Sequence, residues 1–143
     1  MTLAVPRPPV ARALGPPLAV AVVGTLGCAA VWWADPTTPG GPIPVCPSKA
    51  LLGISCPGCG SMRMIYSLLH ADVPAALHYN ALAVAVLVLF GWSFAAWTYG
   101  RLRGRLVRSW LHWRWTPLAF LVAIGMWLIV RNIPFAPFGS LHV

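Results

Sequence analysis

A chain of 143 residues has room for one domain, and 59% hydrophobic against 8% charged leaves too few polar side chains to coat a water-facing surface. Two acids, Asp35 and Asp72, against ten Lys/Arg give a net charge of +8. That excess does not read as nucleic-acid binding, because five arginines (Arg101, Arg103, Arg105, Arg108, Arg114) crowd into one stretch between apolar runs, as in a membrane protein's cytoplasmic loop. The hydropathy also excludes disorder.

The pattern predicts one all-α membrane domain: three transmembrane helices and one short amphipathic interfacial helix. Residues 1–13 form a cytoplasmic arm, since Pro6, Pro8 and Pro9, followed by Pro16 and Pro17, are too dense for a helix. The first span, 14–34, is uncharged. It is expected to be retained rather than cleaved as a signal sequence, because the apolar run continues past Cys28 to Trp33. Cys28 itself reads as a small, inert thiol.

Residues 35–74 form the next loop. From Asp35 to Pro47 the prolines and glycines predict coil. Cys46-Pro47 follows, and then Cys56-Pro57-Gly58-Cys59-Gly60. After Gly60 the period becomes helical. Met62, Ile65, Tyr66 and Leu69 make an apolar stripe, and Arg63, Ser67 and His70 a polar one, predicting a surface helix over 61–70. Asp72 suits the N-cap of the second span, 75–99, with Pro74 in its first turn. The arginine loop covers 100–114. The third span, 115–131, has only 16 residues between Arg114 and Arg131, so both must snorkel for it to cross. A tail, 132–143, closes the chain.

Seven of the ten basic residues fall in the arm and the arginine loop, which places both in the cytoplasm and the cysteine loop and tail outside. Trp32 and Trp33 at one end of span one, and Trp97, Tyr99, Trp110, Trp113 and Trp115 around the arginine loop, fit the aromatic belts of the two interfaces.

The run Cys46-Pro47, Cys56-Pro57-Gly58-Cys59-Gly60, Arg63, Leu68-Leu69, Asp72, Ala75-Ala76 and Asn80 resembles a family of small bacterial membrane proteins of unknown function. The likeness covers about Cys46 to Leu89, and Arg131-Asn132-Ile133-Pro134 through Phe138 is similar to that family's closing segment. It implies a multi-pass protein of the bacterial inner membrane. It implies no activity.

The chemistry is therefore argued locally. A CxxC pair shares a bond or a metal. Cys59 lies at a helix N-terminus, where the dipole and free N–H groups favour thiolate, and Arg63 adds positive charge. Three uses of Cys46, Cys56 and Cys59 stay open. The first is a structural disulfide from Cys46 to Cys59 or Cys56, closing a loop of about 11 to 14 residues for roughly 3 kcal/mol. The second is a redox-active Cys56–Cys59 pair with Cys46 as resolving thiol. The third is a metal site with His70 as fourth ligand, Met62 and Met64 hinting at copper(I). Arg63, Asp72, Asn80, Arg131 and Asn132 form a polar clamp near the same interface, in which Asp72 is expected to pair with Arg63 or Arg131. An anionic headgroup bound by the two arginines is the functional alternative.

The function expected from sequence is a non-enzymatic accessory or assembly subunit of a larger membrane complex, with a disulfide-stapled loop and no cofactor. Its partners are the lipid bilayer and other membrane subunits, not nucleic acid. A membrane thiol–disulfide oxidoreductase and a metal-binding membrane protein are the alternatives.

Overall fold

The computed structural model describes residues 10–38, 40, 41, 46–104, 107, 110 and 113–133, the first three by backbone alone. Expectations for 1–9, for 39 and 42–45 of the expected coil, for Arg105 and Arg108, and for the tail from Pro134 lie outside these described residues. Five helices and no strand occur among them: α1 Val10–Ala34, α2 Pro47–Leu52, α3 Ser61–Leu69, α4 Val73–Arg103 and α5 Thr116–Asn132.

Two helices are long and apolar enough to cross a membrane. Ala13–Ala34 and Val73–Arg103 have peak hydropathies of 1.8 and 1.9, and only 11% and 6% of those windows are buried within the protein. A soluble core helix would be covered by its neighbours; these two present apolar side chains outward all round. Val23, Leu26, Val88, Phe90 and Trp92 are all at least half exposed. Such a surface suits hydrocarbon around it and points to a membrane protein.

α1 departs from the expected start. It begins at Val10 and runs through Pro16 and Pro17, which the proline density was expected to forbid. A helical proline removes one N–H and turns away the carbonyl four residues earlier. For Pro17 that carbonyl belongs to Ala13, and it accepts instead from Arg101 Nε of α4 at 3.1 Å. Ala13 is 4% exposed, so the replacement partner also anchors α1 to the far end of α4.

α4 is expected as one continuous span and is broken once. Asp72 caps it through Ala75 N–H at 3.0 Å, with Pro74 in the first turn, as the sequence predicts. At Asn80 the backbone leaves helical geometry (φ −163°, ψ 85°). The Asn80 side chain then starts the helix again, its Oδ1 accepting from Ala83 N–H at 3.0 Å. An asparagine inside an apolar run is thus a second N-cap.

The expected third span is the shortest of the three apolar helices. α5 has 17 residues, about 25 Å of helix against about 30 Å of hydrocarbon. It also starts part-way along α4. Trp110, which was expected at the interface, donates its indole N–H to the Leu89 carbonyl at 3.1 Å, and Thr116 Oγ1 donates to the Trp110 carbonyl at 2.7 Å. The opening of α5 is therefore level with the middle of α4. Its closing residues reach the Asn80 break, where the cysteines lie.

α2 is a further difference. Cys46-Pro47 was read as the end of a coil, but Cys46 is an N-cap and Pro47 opens six helical residues. In the first turn of a helix proline costs no hydrogen bond, and its fixed φ suits the start.

Candidate functional site

Two Cys-Pro turns face each other. In one, the N–H groups of Lys49 and Ala50 donate to the Cys46 carbonyl, each at 3.0 Å. In the other, the Cys59 N–H donates to the Cys56 carbonyl at 3.0 Å. Each proline supplies the preset φ that tightens its turn. The facing turns bring Cys46 Sγ to 3.5 Å from Cys56 Sγ, and Cys56 Sγ to 3.1 Å from Cys59 Sγ. All three sulfurs lie within 4.8 Å of one another. Each is a free thiol.

The turn carrying Cys56 and Cys59 is gripped from α4 and α5. Asn80 Nδ2 donates to the carbonyls of Pro57 at 2.8 Å and Cys59 at 3.3 Å, and to Ser61 Oγ at 3.1 Å. Arg131 Nη1 donates to the Cys59 carbonyl at 2.6 Å and reaches that of Cys56 at 3.5 Å, while Nη2 reaches the Tyr79 carbonyl at 3.4 Å. Asn132 holds the backbone of Ser55 from both sides, accepting its N–H and donating to its carbonyl, each at 3.0 Å. Asn80, Arg131 and Ser55 are all at most 1% exposed. Buried polar backbone must find partners, and here three side chains from distant sequence supply them.

Gly60 fits the turn to α4. Its φ is +78°, and a Cβ there would lie 2.7 Å from the Tyr79 carbonyl oxygen, so both its backbone and its neighbour exclude a side chain. From Gly60 onward α3 packs on α4 and α1. Its buried face is Met64 and Ser67, neither of them in the apolar stripe of Met62, Ile65, Tyr66 and Leu69. Small Ser67 allows close approach, and Met62 stays 49% exposed.

The three thiols differ. The Ser48 hydroxyl, 3.0 Å from Cys46 Sγ, and after it the Cys56 and Cys59 thiols, bring Cys46 down to about 6. Burial, reinforced by the Cys56 and Cys46 thiols, pushes Cys59 up to about 11. The expectation that Cys59 is the helix-stabilised thiolate is therefore corrected: Cys59 lies two residues before α3, is 6% exposed, and burial outweighs the dipole.

Of the five expected clamp residues, Asn80, Arg131 and Asn132 meet at this turn. Arg63 is exposed and donates from Nε to the Pro36 carbonyl at 3.1 Å, tying α3 to the end of α1. Asp72 has the Ala75 N–H as its partner and forms no ion pair with either arginine among the described residues. The carboxylate is used as a helix cap, and carbonyl oxygens take the place it was expected to fill beside Arg131. His70 is likewise corrected as a fourth ligand. It ends the α3 segment, stacks on Trp32 with ring centroids 4.2 Å apart, and bonds through Nδ1 to the Tyr66 carbonyl at 2.9 Å. The group of ligand atoms among the described residues is Cys46, Cys56 and Cys59.

Sequence reasoning missed Ser48, Ser55 and the Tyr79 carbonyl. Only Ser48 left a signal, as a hydroxyl two residues from a cysteine in a Cys-Pro turn.

Described residues that form helices and no strand, two span-length apolar helices and a three-thiol group clamped against one of them point to a helical membrane protein with a thiol centre. Residues 46–94, which hold all three cysteines, Asn80 and most of α4, match DUF2752, a family described as proteins of unknown function. No curated protein and no solved structure matches the chain.

Proposed function

We propose that the chain is a metal-handling membrane protein in which Cys46, Cys56 and Cys59 hold one soft metal ion as thiolates. The observation that carries this reading is the convergence of three sulfurs within 4.8 Å. A disulfide accounts for two sulfurs; one ion accounts for all three. Sulfurs bound to a single ion at about 2.3 Å stand about 3.8 to 4.0 Å apart, inside the range seen here. An all-sulfur donor set suits soft ions and rejects magnesium and calcium. Such a centre also suits a non-enzymatic subunit of a larger membrane complex, the role expected from sequence, with the metal in place of the staple.

Thiol–disulfide exchange is the second reading, favoured by Cys56 and Cys59 being 3.1 Å apart. Metal analysis and thiol mapping of protein purified without oxygen separate the two. Stoichiometric metal with all three cysteines protected from alkylation supports metal handling. A Cys56–Cys59 bond in metal-free protein supports exchange, and a Cys46 bond restores the staple.

We also propose that the cysteine end faces outward. The excess of arginine around 101–114 favours that loop as cytoplasmic. In a background without native cysteines, an impermeant thiol reagent is expected to label Ser48→Cys in intact cells and not Arg103→Cys. The opposite labelling reverses the orientation.

A further inference from the structure

Resting on the metal-handling reading, we infer that the three sulfurs form a transfer site for Cu(I), loaded and unloaded through Cys46, rather than a structural zinc site. The donor count is the first argument. Structural zinc sites close with four protein ligands, whereas the group here holds three sulfurs and no imidazole or carboxylate among the described residues. Thiolates select Cu(I), which needs no hard fourth donor. The sequence-level candidate for that fourth place, His70, is bonded and stacked at the other end of α3.

The second argument is the unequal anchoring of the ligands. Cys56 and Cys59 belong to one turn, whose carbonyls are held by Arg131 and Asn80. Cys59 is 6% exposed. Cys46 belongs to a separate element, α2, none of whose six residues is buried. Its side chain is half-buried, as is that of Cys56, whereas Cys59 is covered. A pair held in one turn and a third ligand on a separate, exposed helix suit ligand exchange: the ion meets Cys46 first and then closes onto the pair. Copper stays Cu(I) throughout. It leaves one soft ligand of a donor for each sulfur it gains, and every thiol that binds while protonated releases its proton to water. Unloading runs in reverse.

The test uses the full chain, reduced, in lipid nanodiscs without oxygen, titrated with Cu(I) against a chromophoric Cu(I) chelator and in parallel with Zn(II) against a zinc chelator. The expected result is one Cu(I) per chain, an X-ray absorption shell of three sulfurs, and zinc lost to its chelator. Cys46→Ser is expected to keep Cu(I) in a two-sulfur shell, weakened by at least the roughly 10–100-fold that loss of an outer-shell partner costs. Cys56→Ser and Cys59→Ser are expected to lose it, and Cys28→Ser, outside the group, to match the parent. Circular dichroism of each variant confirms that its helices are intact. Zinc retained in a four-ligand shell overturns the copper inference and leaves metal handling standing. Neither ion retained by the reduced, helical parent protein overturns both. Equal losses from Cys46→Ser and Cys59→Ser overturn the entry role of Cys46.

Discussion

The two ends of α4 use arginine to different degrees. At the Arg101–Arg103 end the guanidinium groups lie over aromatic rings, Arg101 5.5 Å from the Trp97 centroid and Arg103 5.5 Å from that of Tyr99. Arg103 is exposed and its stem and ring form an interfacial belt, while half-buried Arg101 also takes up the single Ala13 carbonyl that Pro17 frees. At the Asn80 end Arg131 is 1% exposed, and its donors end on carbonyls of the cysteine turn and of Tyr79. The same side chain marks a boundary at one end and holds a loop at the other. The difference lies in how much free backbone is offered, the Ala13 carbonyl to Arg101 against those of Cys56, Cys59 and Tyr79 to Arg131. The helix break at Asn80 and the CPGCG turn both present carbonyls outside any helical ladder, and a planar five-donor group can collect several at once.

The largest test of that contrast uses two glycines in the left-handed region, Gly60 (φ +78°) and Gly104 (φ +62°), one at each end. Alanine at either site carries the same backbone strain, about 1–2 kcal/mol. Only at Gly60 does the added Cβ meet backbone, the Tyr79 oxygen at 2.7 Å; at Gly104 nothing lies within 4 Å. Gly60→Ala is therefore expected to cost about 3 kcal/mol or more, and Gly104→Ala about 1. Thermal unfolding in nanodiscs measures both. Equal costs would mean that the cysteine turn does not press against α4.

Arg131→Gln against Arg103→Gln is the next comparison. Loss of charged donors to buried carbonyls is expected to cost about 3 kcal/mol at 131, whereas an exposed cation–π contact is worth about 0.5 kcal/mol at 103. If metal binding survives Arg131→Gln unchanged, the guanidinium stabilises the fold without positioning the sulfurs.

What the sequence shows of this architecture follows from range. The two long apolar runs, the α3 boundaries and the Asp72 cap are local patterns of hydropathy and capping, and they are legible. α2 was hidden because Pro47 reads as a breaker until Cys46 is recognised as the residue before a first turn. The Asn80 break was hidden because one amide inside an apolar run leaves no periodic trace. The residues of the clamp were legible as polar side chains near one interface, but their partners were not. Arg131 pairs with backbone 72 and 75 positions away, and carbonyl oxygens are identical at every position. His70 was attractive as a ligand only while α3 was a pattern; as a helix, the nine residues Ser61–Leu69 carry it about 13 Å along the axis, away from the sulfurs.

The cysteine end divides further into a reactive and a quiet thiol. In reduced, metal-free protein at pH 7, Cys46 near 6 is mostly thiolate, while Cys59 near 11 is ionised to roughly one part in 10⁴. The lower basicity of Cys46 offsets roughly 10² of that gap in intrinsic nucleophilicity, leaving about 10² in its favour before burial of Cys59 is counted. Iodoacetamide is expected to modify Cys46 before Cys59. Its rate should rise through pH 6 and level off above, because the thiol is protonated below that value and a thiolate above it. Modification of Cys59 first, read by peptide mass spectrometry, would reverse the assignment.

The smallest expected effect separates the two roles of Asn80. Its Oδ1 caps the second half of α4 at Ala83, and its Nδ2 reaches the Pro57 carbonyl. Serine is too short to reach the turn yet caps helices well. Asn80→Ser should lose the turn contacts, about 1–3 kcal/mol for buried carbonyl groups left without that donor. Asn80→Ala should lose the cap as well, about 1 kcal/mol more. The difference between the two variants isolates the cap, and their common loss isolates the grip on the cysteine turn. Identical stabilities for the two would show that α4 needs no cap at its break. A cap difference with no common loss would instead show that Arg131 alone holds the turn, and metal affinity would then be indifferent to residue 80.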